Sequence, residues 1–116
     1  MSAENLDATS LARAVRADAL RMVAAAKASH IGACLSMADI LAVLYSDVLR
    51  YDAANPEWAE RDRFILSKGH GAAILYATLA ESGFFNVDLL STYCVDGSTL
   101  MGHASHKVPG VEVSTG

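Results

Sequence analysis

Three of the four histidines have a glycine beside them or two residues away: His30, His70 and His103. Glycine allows the backbone to turn sharply and lets another group come close. Imidazole donates or accepts a proton near neutral pH, so it can serve in acid–base chemistry and in hydrogen bonding to a substrate. Because the three histidines occupy separate predicted loops, we expect them to converge on one ligand.

The local sequence around His70 resembles a strand, a turn and a helix in succession. Residues 63–67 form a short apolar run that predicts a buried parallel strand, and Ala72 to Ser82 predicts a helix. In open α/β sheets a ligand binds beyond the carboxyl end of a strand, where a helix N-terminus attracts anions. The motif fits two interpretations equally. One is a phosphate-binding turn with donors from Lys68 and His70, and the other is a tight turn with His70 capped and partly buried.

Other chemistries have weaker support. The spacings of His30 with Cys34 and of His103 with His106 could each present two ligands to one metal ion. No Cys-x-x-Cys pair accompanies them, so we predict no metal ligands in this chain. A Gly-x-Ser-x-Gly nucleophile motif is also missing from the sequence, and His106 is interpreted as part of an ordinary polar loop.

The hydrophobic pattern predicts several further elements. Thr9 or Ser10 is expected to cap a first helix that ends near Lys27, after a flexible arm of residues 1–8. Ser36 is expected to open a second helix, with Asp39 as its capping partner, and this helix should be buried on most sides.

Turn residues mark the remaining boundaries. Residues 51–62 read as a surface connection held down by Trp58, and Gly83 as the C-terminal stop of the third helix. Asn86 or Asp88 should cap a shorter helix, and residues 111–113 resemble the start of a strand.

Composition limits the class of protein. A chain of 116 residues has room for one domain, and 53% hydrophobic residues suggest that some apolar surface needs a partner. A net charge of −4 gives no support to nucleic-acid binding. We also expect no membrane span and no signal peptide, and we expect Cys34 and Cys94 to be buried, reduced thiols in a cytoplasmic protein.

The predicted fold class is α/β, with a parallel sheet flanked by helices. Only one convincing strand is present, and a single strand cannot form a sheet. The remaining strands are therefore expected from further sequence or from another polypeptide, and residues 9–116 are predicted to be a partial domain.

Taken in order, several segments together resemble the N-terminal part of transketolase, from about Arg16 to Gly116. They are residues 27–32, 36–45, 61–71, 102–103 and 109–116. Ile31 and Lys68 are more similar to the split transketolases, in which the N- and C-terminal halves are separate polypeptides.

The resemblance implies a thiamine diphosphate enzyme of pentose phosphate metabolism, which transfers a two-carbon ketol unit between sugar phosphates. It implies that His70 lies near the cofactor diphosphate and the reacting carbons, and that His30 and His103 bind substrate oxygens. The further cofactor-binding residues that it implies are Gly71, Ser114, Thr115 and Gly116.

The resemblance also implies what this chain lacks. The family's Gly-Asp-Gly motif, which holds the diphosphate and a divalent cation (Mg or Ca), would lie beyond Gly116. The glutamate that activates the cofactor would belong to a C-terminal half or subunit. We therefore expect an inactive isolated chain that works in a hetero-oligomer with complementary transketolase polypeptides. Two alternatives stay open: a non-catalytic partner-binding remnant, and part of a related thiamine diphosphate enzyme of specialised metabolism.

Overall fold

A computed structural model describes residues 6–115. Its long helices are α1 (Ala8–Ala26), α2 (Ile31–Val43) and α3 (Ala72–Glu81). A π-helical turn, Leu44–Val48, continues α2, and 3₁₀ turns cover Gly69–Gly71 and Val87–Thr92. The three long helices pack against one another, and the radius of gyration is 12.7 Å, close to the value of about 13 Å expected for a folded chain of this length.

The first helix begins earlier than the sequence predicted. The Asp7 carboxylate accepts a hydrogen bond from the backbone N–H of Ser10 at 2.8 Å, so Asp7 is the N-cap and Ala8 starts the helix. The caps predicted at Thr9 and Ser10 are wrong, because all three residue types cap well and local sequence does not rank them. Leu6 is already partly buried against the core, and residues 1–5 of the predicted arm lie outside the described residues.

The second helix also begins earlier, at Ile31 instead of Ser36. The Ser36 hydroxyl donates to the carbonyl of Ala33 at 3.0 Å, and Asp39 pairs with Arg16 at 2.9 Å instead of capping. Cys34, in the added first turn of the helix, is 1% exposed and packs in the core.

One face of α2 and its π turn is apolar and exposed, so the prediction of burial on most sides is wrong. Ile40, Val43 and Val48 are 59%, 45% and 55% exposed. By length and composition, the 18 residues Ile31–Val48 could span a membrane, with mean hydropathy 1.6 and 28% of the stretch buried. Core helices of soluble proteins meet the same criterion, and α2 packs on both α1 and α3.

The strands predicted at residues 63–67 and 111–113 are not formed within the part of the chain that the structure describes. Leu66 is buried and Ile65 is 54% exposed, as expected for an extended segment with one face on the core. A strand requires the hydrogen-bond ladder of a neighbour, and here the carbonyl of Leu66 accepts instead from the Thr115 hydroxyl at 2.6 Å.

An ion pair holds the C-terminal segment in place. The guanidinium of Arg61 donates to both carboxylate oxygens of Glu112, at 2.7 and 2.9 Å. The two side chains are 12% and 15% exposed, and Arg61 also donates to the carbonyl of Trp58 at 2.8 Å. The bidentate geometry therefore joins the connection 51–62 to the segment that follows Val111.

The third helix is the most buried element. All nine residues from Ala72 to Ala80 are buried, and the predicted extent is confirmed to within one residue. Thr78, completely buried, donates its hydroxyl to the carbonyl of Ile74 at 2.7 Å. Gly83 follows the helix with φ +96°, which confirms the predicted stop.

A carboxyl pair connects α1 with α3. Asp18 is 8% exposed, and one of its oxygens accepts from Arg21 at 2.7 Å. A hydrogen bond to Asp18, followed by burial, raises the pKa of Glu81 to about 7. Both carboxyl groups line a groove of about 830 Å³ between α1, α3 and the turn Val87–Thr92.

The pair predicts that stability decreases with pH. Because the folded-state pKa of Glu81 lies above its ordinary value, the folded protein binds more protons than the unfolded chain between about pH 4.5 and pH 7. This contribution is complete below that window and is lost as pH rises through about 7. Denaturant midpoints measured from pH 5 to 8 should fall, and Glu81→Gln should flatten the profile. An equally steep profile in the variant would contradict this role.

Gly110 supports a second stability prediction. Its φ is +96°, and a Cβ there would lie 2.8 Å from side-chain carbons of Leu79 and Phe84. Gly110→Ala should therefore cost about 1–3 kcal/mol of unfolding free energy. Gly32→Ala is the matched control, because a Cβ at this helical position meets nothing within 4 Å and should stabilise by at most about 1 kcal/mol. Equal denaturation midpoints for the two variants would refute the packing argument.

Candidate active site

The three glycine-associated histidines line one cleft of about 400 Å³, so the structure brings them together, while their binding of one ligand stays a prediction. The rings of His30 and His70 stack with centroids 4.8 Å apart and an interplanar angle of 25°. All three histidines are exposed to solvent, so a ligand can reach them. The lining residues are Lys27, Ala28, Ser29, His30, His70, Tyr93, Cys94, Gly102 and His103.

His30 is placed by the turn between α1 and α2. Helix α1 ends with Lys27 in the left-handed conformation, and His30 adopts a second left-handed conformation with φ 71° immediately before α2. Two left-handed residues in this short connection reverse the direction of the chain. As a result, the His30 ring stacks on the ring of His70.

His70 is placed by the 3₁₀ turn Gly69–Gly71. The N–H of Gly71 donates to the carbonyl of Lys68 at 2.9 Å, which closes the turn. A Cβ on Gly71 would come within 2.6 Å of the terminal methyl of Met37 on α2, and this flexible side chain would have to shift. The turn presents His70 to the cleft while Gly69 and Gly71 are buried.

Two hydrogen bonds place His103. The hydroxyl of Tyr76, on the buried helix α3, donates to the carbonyl of His103 at 2.8 Å. The N–H of Ala104 donates to the carbonyl of Gly69 at 3.0 Å. Burial raises the pKa of Tyr76 to about 12, which keeps the hydroxyl protonated as a donor. Sequence reasoning missed Tyr76, and its only signal was that it is one of the few polar residues of a largely apolar helix.

The first turn of α3 is buried. Burial has the largest effect on the pKa of the Cys34 thiol and raises it, whereas the backbone N–H groups of Ala73 and Ile74 lower it, so the thiol stays protonated. Of the two interpretations of the motif, the phosphate-binding turn stays a prediction. The tight turn forms, but His70 is exposed rather than partly buried.

Ser114 and Thr115 make their polar contacts within the chain. The Ser114 hydroxyl lies 2.6 Å from Nδ1 of His106 and accepts from the His106 N–H at 2.8 Å. The N–H of Thr115 donates to the carbonyl of Ala104 at 3.1 Å, and its hydroxyl donates to Leu66. Neither residue lines the histidine cleft, and Gly116 lies outside the described residues. Their cofactor-binding roles stay predictions.

The cysteines differ from each other. Cys34 is buried as predicted, but Cys94 is exposed and lines the cleft, so the prediction for Cys94 is wrong. Its sulfur lies 3.6 Å from the position of a Cβ on Gly102. Within residues 6–115, no group of three or more His, Cys, Asp or Glu side chains is arranged to hold a metal ion.

Comparisons with known proteins agree with this architecture. The sequence profile of the family described as "Transketolase, thiamine diphosphate binding domain" matches residues 7–116. The chain is similar to the transketolase structure from Leishmania mexicana, with a TM-score of 0.89, 37% identity and coverage of 97% of this chain and 17% of that one. The Campylobacter jejuni transketolase gives a TM-score of 0.84 at 37% identity, covering 91% and 17%.

Two relatives are named as transketolase subunits. One is the 6-deoxy-6-sulfo-D-fructose transketolase subunit of Clostridium sp. (strain MSTE9), which is 38% identical over all of this chain and 42% of its own length. The other is an apulose-4-phosphate transketolase subunit of Phocaeicola vulgatus, which is 43% identical over 84% of this chain and 34% of its own length. The chain spans less than half the length of these relatives.

The chain belongs to the transketolase family and corresponds to part of its thiamine diphosphate-binding domain. The α/β class is thereby confirmed, with only helices formed among the described residues.

The Tyr76–His103 hydrogen bond can be tested directly. Tyr76→Phe should lower the unfolding free energy by about 1 kcal/mol, because the carbonyl of His103 loses a buried donor. It should also shift the imidazole NMR resonances of His103. Tyr51→Phe is the matched control, since its hydroxyl donates to the carbonyl of Tyr45 at 2.6 Å outside the cleft. The control should lose similar stability and leave His103 unshifted, and identical His103 spectra in both variants would refute the positioning role.

Proposed function

We propose that this chain is the N-terminal portion of a transketolase-type enzyme that transfers a two-carbon ketol unit between sugar phosphates. The observation that carries the proposal is the convergence of His30, His70 and His103 in one solvent-accessible cleft. Imidazoles on three different turns can bind a polyhydroxy substrate from several sides and exchange protons with its oxygens.

The three histidines have different proposed roles. His30 and His103 hydrogen-bond the carbonyl and hydroxyl oxygens of the sugar, and His70 lies towards the diphosphate of the cofactor. Thiamine diphosphate, bound with a divalent cation (Mg or Ca), supplies the carbanion chemistry. The exposed, donor-capable ring of His70 fits an anionic diphosphate.

A complementary polypeptide completes the enzyme. Ile40, Val43 and Ile65 expose apolar surface, and residues 63–66 lie outside any helix or strand, so that neighbouring strands can pair with them. The relatives named as subunits support a hetero-oligomer that includes a C-terminal transketolase subunit. The proposed location of this hetero-oligomeric enzyme is the cytoplasm, and its proposed substrates are sugar phosphates.

The test is reconstitution with a polypeptide that contains the remaining thiamine diphosphate contacts and with a C-terminal transketolase polypeptide. We expect ketol transfer from a ketose phosphate to an aldose phosphate that requires thiamine diphosphate. His30→Ala and His103→Ala should each lower kcat by about 10²–10⁴-fold without weakening assembly. Glu60→Ala, on the exposed connection, is the control and should leave kcat unchanged.

Either of two results would contradict this proposal and favour a different function. Assembly without any thiamine-dependent transfer would favour a non-catalytic partner-binding remnant, for which the exposed apolar face of α2 would be the relevant surface. Transfer from donors other than ketose phosphates would favour a related thiamine diphosphate enzyme of specialised metabolism.

A further inference from the structure

The groove between α1, α3 and the turn Val87–Thr92 has no part in the proposed function. Its volume of about 830 Å³ falls within the range of about 300–1,000 Å³ that is typical of small-molecule pockets. Much of its lining is apolar and includes Met22, Leu90 and the exposed side chains of Val87 and Val95. A groove of this size and lining can hold a ligand with an apolar body, such as an aromatic ring.

The charged side chains of the groove are mainly acidic. Of the lining residues within 6–115, three carry carboxyl groups, namely Asp18, Glu81 and Asp88, and Arg21 carries a guanidinium. The guanidinium of Arg21 already donates to Oδ1 of Asp18 at 2.7 Å, and the Arg21 side chain is 72% exposed. The groove therefore has an excess of negative charge, which attracts a cation.

Asp18 has a buried oxygen that lacks a permanent hydrogen-bond donor. The Asp18 side chain is only 10% exposed, and its Oδ1 accepts from Arg21. Within residues 6–115, no backbone N–H, guanidinium, amine or hydroxyl group donates to its other oxygen, Oδ2. A buried carboxylate oxygen without a donor is unfavourable, so this end of the groove favours a ligand that brings a donor.

The carboxyl proton of Glu81 supplies this donor only at lower pH. A hydrogen bond to Asp18 raises the pKa of Glu81 to about 7, so below this pH the two carboxyl groups share a proton. Above it, Glu81 is ionised beside Asp18, and the pair has lost its hydrogen bond. An ammonium group has three N–H donors and a positive charge, so it can bond both carboxylates where the proton has left.

The surroundings of the carboxyl pair favour an organic cation over a metal ion. Ca²⁺ takes about six to eight oxygen ligands, whereas no group of three or more His, Cys, Asp or Glu side chains within residues 6–115 is arranged to hold a metal. An ammonium needs only hydrogen-bond acceptors, and the apolar lining suits a ligand whose remaining part is apolar.

We propose that the groove is a binding site for a small organic amine, whose ammonium group bonds the carboxylates of Asp18 and Glu81 while its apolar body covers the apolar lining. The inference does not rest on the proposed function, because the histidines take no part in the amine site. The two cavities are neighbours, since Tyr93 and Cys94 line both the groove and the histidine cleft.

Direct binding to this chain tests the inference without catalysis. The probe is 2-phenylethylamine, and 2-phenylethanol is its neutral control of similar shape. At pH 8 the amine should bind about tenfold more tightly than the alcohol, because only the amine forms charge-assisted hydrogen bonds with the carboxylates. It should also shift the NMR methyl resonances of Met22, Val87 and Val95, which line the groove. Equal affinities for amine and alcohol, or shifts confined to other parts of the chain, would overturn the inference.

The pH dependence of binding tests whether the amine replaces the shared proton. Because amine and proton compete for the same carboxyl pair, the affinity for 2-phenylethylamine should be about tenfold lower at pH 6 than at pH 8. The same affinity at both pH values would show that the amine does not bind the pair. The other charged or titratable side chains that line the groove are those of Arg21, Asp88, Tyr93 and Cys94. A pH dependence that persists in Glu81→Gln would belong to one of these groups and would contradict the inference.

Three variants separate the carboxyl pair from general attraction by negative charge. Glu81→Gln and Asp18→Asn should each weaken 2-phenylethylamine binding at pH 8 about tenfold and leave 2-phenylethanol binding unchanged. Asp88→Asn is the matched control, because Asp88 lines the same groove but is exposed, and it should change the affinity by less than about twofold. Denaturant midpoints check that each variant is folded, and Glu81→Gln, which resembles the protonated carboxyl, decides the outcome if Asp18→Asn does not fold. Equal losses of affinity in Glu81→Gln and Asp88→Asn would overturn the inference.

Discussion

The complete burial of α3 is the constraint on which the rest of the structure depends. Helices α1 and α2 both pack on α3, so polar atoms on α3 have to find partners inside the protein. Thr78 bonds to its own helix, whereas Tyr76 reaches the carbonyl of His103. The cost of leaving a buried hydroxyl unpaired thereby fixes one wall of the cleft, and the core controls the geometry of the site.

The cleft is built from turns rather than from strand ends. Left-handed backbone at Lys27 and His30 turns the chain between α1 and α2, and the 3₁₀ turn Gly69–Gly71 brings His70 against His30. The polar side chains that line the cleft include the imidazoles of His30, His70 and His103. This arrangement suits a flexible polyhydroxy ligand, which needs donors at several points.

The outer surface reflects membership of a larger α/β domain. The chain superposes on solved transketolases over nearly its whole length while covering 17% of theirs. Residues 63–67 carry the sequence of a parallel strand, and in this chain Leu66 packs inwards while Ile65 is exposed. The exposed apolar face of α2 is a second example. The residue pattern of α2 is typical of a helix buried on several sides, but in this chain only some of those sides are covered by other elements.

The sequence by itself identified the family, the glycine-associated histidines and the third helix with its stop at Gly83, because each depends on neighbouring residues or on an ordered set of motifs. The sequence did not decide which of Asp7, Thr9 and Ser10 caps α1, or at which residue α2 begins, because the alternative helix starts differ little in local free energy. Only the tertiary structure decided the contacts Arg61–Glu112, Tyr76–His103 and Cys34 with α3, as well as the absence of strands in residues 6–115. These features join residues far apart in the chain, and their free energy depends on burial that exists only after the helices have packed.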